Sequence, residues 1–372
     1  MHLPIVDNFW HGQATVMLTE RLPLYILFVY PGFLYVPLAC VWRLGLPGAL
    51  AEITLTGLLT VAFYAPFDVV GAKFLWWTWH DSDTVTLSRI AGVPASSTMW
   101  VGVYASMFAL MFRVFVPTPA SGARPPLLWK PWRVGTMLRA LVAACLAIPV
   151  MMLLMTTIQC IVGWSLPPPP APNRTMLGVT LMIYGSLALS AIADGTVSGG
   201  GSVVADRSAA SGSGGSTTAN FSSLRIAAAG SRGSVKHLAG ALALYYTALV
   251  AIALAGDPTT HVSRGRHQTF GPCGIEVSDY AGDVRHLYIC RDTRFQDFKF
   301  DGCPAPQSPA ELATERAVVA DRVMPWYTIC GMPKSSEWVR ASVGYSLTGA
   351  AAFALVLWAG TKRMAGGDGK SD

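Results

Sequence analysis

Seven apolar runs, separated by polar or Pro- and Gly-rich links, constrain this chain more than anything else in it. They cover residues 22–41, 48–70, 96–116, 135–162, 176–194, 237–255 and 341–360. A helix crosses the hydrocarbon core of a bilayer with about 20 predominantly apolar residues, and the runs match that length. Only 13% of the chain is charged, against about 25% in an ordinary soluble domain. The expected fold is an all-α polytopic membrane protein with about seven transmembrane helices and one small disulfide-containing α+β module outside the membrane.

The links set the expected organisation. Residues 1–194 form a five-helix membrane region. Residues 195–236 are dominated by Gly, Ser and Ala and predict a disordered cytosolic linker, because they lack the large apolar side chains that offset ordering entropy. Residues 237–256 are the sixth helix, 257–340 the extramembrane module, 341–361 the seventh helix and 362–372 a basic tail. Within the module, residues 268–303 mix aromatic and β-branched residues with turn residues and predict hairpins. Ser308-Pro309-Ala310-Glu311 predicts a capped helix running to about Val323.

Cys273, Cys290, Cys303 and Cys330 all lie in that module. An even set in a polar, extramembrane segment predicts two disulfides on the oxidising side of the membrane, with three pairings open. Asn173-Arg174-Thr175 is a glycosylation sequon. The short basic links and the tail prefer the cytosol. Together these signals predict an N-terminus outside or in the lumen and a cytosolic C-terminus, in the plasma membrane or an endomembrane. The cysteines and Asn173 then fall where disulfides and glycans are made, whereas the second sequon, Asn220, falls in the cytosol. Net charge is +6, but the basic residues sit beside apolar runs and form no stripe interleaved with aromatics, which argues against nucleic acid. The expected partners are the bilayer and an outer or lumenal protein.

The chemistry concentrates in residues 74–83, Phe-Leu-Trp-Trp-Thr-Trp-His-Asp-Ser-Asp. Indoles beside titratable groups suit a membrane–water boundary, where the ring is buried and the N–H stays wet. On a helix, His80 and Asp83 would share a face and could hold a proton relay, a divalent ion or a general acid. Asp81-Ser82-Asp83 also has the form of a metal-holding D-x-D pair. The plainer expectation is an aromatic belt that anchors the end of a helix. Asp68 and Glu52 are carboxylates within the second run, where charge is costly and function is the default expectation. Asp68 is expected in the same outer cluster, salt-bridged to Lys73 or Arg89, while Glu52 is expected to be solvated at the inner boundary. Asp68, His80, Asp81 and Asp83 are therefore the candidate catalytic residues. No Walker A, G-x-S-x-G or H-E-x-x-H tract is present, and the cofactor is unknown.

With Asp68, Gly71, Trp76-Trp77-Thr78-Trp79-His80-Asp81-Ser82-Asp83, Gly92-Val93-Pro94 and Trp100 laid out, residues 66–100 resemble an uncharacterised family. Its members are eukaryotic multi-pass membrane proteins carrying a Trp-Trp-Thr-Trp-His-Asp-x-Asp tract. The resemblance implies membrane residence and no assigned activity. The same stretch is more faintly similar to membrane carotenoid hydratases, which would imply acid-catalysed water addition to an isoprenoid with Asp68 or Asp81 as proton donor. The cysteine module and the His80-Asp81-x-Asp83 run depart from that pattern. Two functions follow as expectations. One is an enzyme acting on a lipid or isoprenoid at the outer membrane face. The other is a non-enzymatic, receptor-like or scaffold protein that binds through its disulfide module.

Overall fold

The computed structural model describes residues 9–12, 14–19, 22–44, 46, 49–79, 86, 88–116, 134–163, 172–198, 232–265, 271–272, 274–278, 284–288, 298–299, 303 and 327–366. His80, Asp81, Asp83, Cys273, Cys290, Asn220 and the expected helix at 308–323 lie outside them.

Seven long helices run through the described residues: α1 (Ile26–Arg43), α2 (Ala49–Lys73), α3 (Ala95–Phe115), α4 (Val134–Gly163), α5 (Pro172–Ser198), α6 (Arg232–Ala255) and α7 (Ser336–Gly366). Six of them contain stretches long and apolar enough to cross a membrane, namely all but α5. Leu153, Met182, Leu189, Leu244, Leu355 and Trp358 are exposed on these helices. Apolar surface of that extent is a liability in water and is solvated by lipid in a bilayer. The protein is thus an integral, multi-pass membrane protein, with six candidate spans among the described residues where seven were expected. α5 continues to Ser198 and α6 begins at Arg232; the rest of the expected linker lies outside the described residues.

α2 is the central helix. Two thirds (67%) of its most apolar window is buried inside the protein, and α1, α3, α5, α6 and α7 all pack against it. Lipid tails are as apolar as Leu, so close approach rather than hydrophobicity drives such packing. At the crossing of α2, α3 and α5, a Cβ on Gly57 would meet the Gly102 carbonyl at 2.8 Å and the Tyr184 ring at 2.9 Å. The buried threonines of α2 satisfy themselves by bonding back one turn: Thr56 donates to the Glu52 carbonyl (2.7 Å) and Thr60 to that of Thr56 (2.8 Å).

Pro66 interrupts α2 from within. Proline has no N–H, so the carbonyl four residues back loses its helical donor. In lipid, that carbonyl needs another partner. Tyr246 of α6 supplies it, donating to the Ala62 carbonyl at 3.1 Å, and the neighbouring Tyr245 donates to that of Phe63 at 2.6 Å.

The strands lie beyond one end of the helices. β1 (Phe9–His11) pairs antiparallel with β2 (Trp77–Trp79), and β3 (Arg89–Ile90) with β4 (Val93–Pro94). In the cysteine module, β5 (Val262–Gly265), β9 (Tyr327–Gly331) and β8 (Phe298–Lys299) form a three-stranded sheet in that order. β6 (Glu276–Ser278) and β7 (Val284–His286) form an antiparallel pair within the stretch expected to hold hairpins. Cys303 and Cys330 are disulfide-bonded, which excludes the two pairings that join either of them to Cys273 or Cys290.

Candidate functional site

α2 ends in a turn that aims the tryptophan tract back over the bundle. The Trp76 amide donates to the Gly71 carbonyl (2.8 Å) and the Leu75 amide to that of Ala72 (3.2 Å). This is a Schellman ending, in which the intervening residue is left-handed and usually glycine. Here it is Leu75, at φ 58° and buried, a conformation that costs an L-residue about 1–2 kcal/mol. The reversal lays the Trp77 indole directly on Gly71, where a Cβ would collide with the ring.

So placed, Trp77 reaches Asp68. Its Nε1–H donates to Asp68 Oδ1 at 2.8 Å, and the Ser97 hydroxyl of α3 donates to Oδ2 at 2.9 Å. Asp68 is fully buried. The expected salt bridge to Lys73 or Arg89 is not what holds it. Lys73 lies five positions on, roughly 140° around the helix at 3.6 residues per turn, and its ammonium stands 6.0 Å from the Trp338 ring centroid. Arg89 is engaged with carbonyls, donating to Thr86 (3.1 Å), Gly92 (3.4 Å) and Trp79 (3.2 Å).

The tract is also not helical where it is described: Trp77–Trp79 is strand, so its side chains alternate at a period of two. Its partner strand, Phe9–His11, carries a signal the sequence reading passed over. Both segments are short and aromatic, as cross-strand aromatic pairs require, and the Phe9 and Trp79 rings lie 5.5 Å apart. Ser97 gave no such signal.

The remaining contacts lash a cap to the bundle. Trp10 is buried and packs edge-on against Phe298 of the module at 6.0 Å. Phe74 meets His261 edge-on at 5.0 Å. Lys334 donates to the Ala253 (2.9 Å) and Leu254 (3.0 Å) carbonyls, satisfying the end of α6. Arg174, near the start of α5, contacts the Arg89 carbonyl. The tryptophan tract, the first turn of α5 that holds Asn173, and the cysteine module therefore share one end of the molecule. At the opposite end, Glu52 is buried rather than solvated. It pairs with Arg113 at 3.1 Å and accepts from Trp42 Nε1 at 2.9 Å.

Between the cap and the bundle lies a pocket of about 410 Å³, lined by Lys73, the turn of the β3–β4 hairpin and the start of α7. Among the described residues, no group of three or more His, Cys, Asp or Glu could hold a metal.

The model of a family described as a domain of unknown function, DUF7802, matches residues 1–348. The chain belongs to the DUF7802 family. The match takes in the bundle, the tryptophan tract and the cysteine module, well beyond the 66–100 stretch that first suggested a family. No curated protein and no solved structure matches this DUF7802 chain.

Proposed function

We propose that the protein is a non-catalytic binding protein of the membrane, in which the bundle holds a cap whose outer side recognises a ligand or an outer or lumenal protein. The observation that carries this reading is the closure of Asp68. Its carboxylate receives hydrogen bonds from the neutral side chains of Trp77 and Ser97 and has no exposed surface. A general acid must come within hydrogen-bond reach of substrate, whereas Asp68 is engaged in tying α2, β2 and α3 together.

The second reading keeps the tract as an acid–base site for a lipid or isoprenoid, with Asp68, His80, Asp81 and Asp83 as its groups. It is favoured by β2, which delivers the chain to His80 directly after Trp79, whose carbonyl accepts from Arg89. An untargeted lipid comparison of membranes carrying wild type, His80→Ala or Asp81→Ala separates the two. Unchanged lipids in both variants support binding; an accumulating precursor in either moves the tract to catalysis.

The proposed topology keeps the cap outside or in the lumen and the C-terminus in the cytosol. Opposite placement of the two ends needs an odd number of crossings, so α5 is proposed as the seventh. Cys273 and Cys290 are proposed as the second disulfide, and Asn173 as glycosylated. Sugar at Asn220 instead of Asn173 in a glycosylation-mapping assay overturns this orientation.

A further inference from the structure

We infer that Trp76 is a C-mannosylation site, where a mannose is joined carbon to carbon to the indole while the chain is being translocated. The inference goes beyond the binding reading and rests on the orientation proposed with it, which puts the tryptophan tract outside or in the lumen.

The sequence offers the acceptor twice. Trp76-Trp77-Thr78-Trp79 and Trp129-Lys130-Pro131-Trp132 both have the form Trp-x-x-Trp. In the lumen of a eukaryotic secretory membrane, a mannosyltransferase that takes its sugar from dolichyl-phosphate mannose modifies the first tryptophan of that form. A short motif needs a context that confirms it, and here the context is the side of the membrane. Among the described residues, α3 is the one long helix between the two copies, and it is a candidate span. The copies therefore face opposite sides. The tract shares its end of the molecule with the Cys303–Cys330 module through the Trp10–Phe298 and Phe74–His261 contacts. Disulfides form on the oxidising side, which is also the side of the enzyme. Trp76 is the copy presented to it, and Trp129 the copy withheld.

The surroundings then separate Trp76 from its neighbours. The reaction bonds the anomeric carbon of mannose to indole Cδ1, the carbon beside Nε1. Dolichyl phosphate leaves with the electron pair of the old anomeric bond and the Cδ1 proton is lost, so no oxidant or reductant enters. The added sugar is rich in hydroxyls and has to end in water or among head groups, since burying polar groups without partners is costly. Trp77 leaves no room for it, being 3% exposed with its Nε1 bonded to Asp68 inside the bundle. Trp79 is 7% exposed and lies against Phe9. Trp76 is only partly buried, its ring centroid 5.4 Å from that of Phe67. It follows closely on Lys73, the last residue of α2, at the boundary where indoles meet head groups.

The fold also sets the order of events. The Trp76 carbonyl accepts from the Gly12 amide at 2.7 Å and from the Tyr25 hydroxyl at 3.4 Å, and β1 pairs with Trp77–Trp79. A strand held on this side by β1 is not an extended free acceptor, so the sugar is added before β1 closes over β2. Its addition depends on the residues around Trp76 and on the side of the membrane, and not on the finished cap.

The test uses the full chain produced in cultured mammalian cells, purified, digested and read by tandem mass spectrometry. One hexose is expected on Trp76, fragmenting across the sugar ring rather than leaving whole, with Trp129 bare. The same chain made in cells unable to synthesise dolichyl-phosphate mannose is expected to lose that hexose. Trp79→Ala is expected to lose it as well; should that variant not accumulate, the donor-deficient cells decide. Bare Trp76 in the wild-type chain with sugar on Asn173 overturns the inference and leaves the orientation standing. Hexose on Trp129 with sugar on Asn220 overturns both. A hexose that leaves whole, as from Thr78, or that persists without the donor overturns the carbon-linked assignment. The binding reading fails on a different readout, a changed lipid profile in His80→Ala or Asp81→Ala.

Discussion

Two carboxylates are buried along α2, one near each end, and they are held in opposite ways. Glu52 meets a cation, Arg113, at a place where that cation still reaches solvent. Asp68 meets an indole and a serine, with no exposed surface of its own. The far end therefore uses charge neutralisation at a boundary. The cap end uses neutral donors drawn from two other elements, β2 and α3. Only the second arrangement makes the local fold depend on the acid, because Trp77 belongs to the strand that carries the cap.

Asp68→Ala should show the largest effect. It leaves Trp77 Nε1 and the Ser97 hydroxyl without their acceptor, at a cost of about 3 kcal/mol. In a detergent-unfolding titration the transition should shift accordingly, and hydrogen exchange at Trp77–Trp79 should accelerate before the rest of α2 does. Glu52→Ala should cost less, about 1 kcal/mol after allowing for solvent screening of an Arg113 that is 34% exposed. Its effect should shrink with added salt while that of Asp68→Ala does not. Equal losses with equal salt dependence would erase the distinction between the two ends.

Gly71→Ala sharpens the comparison without touching either acid. The added methyl must displace the Trp77 indole, and overpacking of this kind costs about 1–3 kcal/mol. Exchange protection should fall at Trp77–Trp79 and hold at Glu52. Between the two ends, Tyr246→Phe should cost about 1 kcal/mol by orphaning the Ala62 carbonyl. In a Pro66→Ala background the restored N–H takes over that carbonyl, so the cost should largely vanish; additive losses in the double mutant would refute the compensation.

The smallest effect concerns an exposed acid in the cap. Asp257 accepts from the Thr259 hydroxyl (2.7 Å) and amide (3.0 Å), and these bonds hold its carboxyl below the usual carboxylate range. A depressed folded pKa contributes stability that is present above the unfolded value and is lost as pH falls through the folded one. Protection of the turn at Pro258–Thr260 should therefore weaken on acidification, and Asp257→Asn should remove that pH dependence. A turn equally acid-sensitive in the variant would assign the effect elsewhere.

Membrane residence and helix positions were legible in the sequence, because crossing hydrocarbon demands a length and an apolarity that show in the residues themselves. Grouping of the tract with the module was legible too, through the alternation of helices and the placement of the cysteines. The candidate site was legible only in part. Asp68 stood out as a carboxylate in an apolar run, but its partners did not, since nearness in sequence pointed to Lys73 and Arg89. The helix period turns the first away, and hairpin carbonyls engage the second.

By itself the sequence determined a multi-pass membrane protein with one polar module, because hydrophobic length and composition are local properties. Tertiary structure decided that the tryptophan tract is a strand, that Phe9–His11 is its partner and that Asp68 is closed by Ser97. Each of those depends on groups distant along the chain, brought together only when α2 reverses at Leu75 and the cap closes over the bundle.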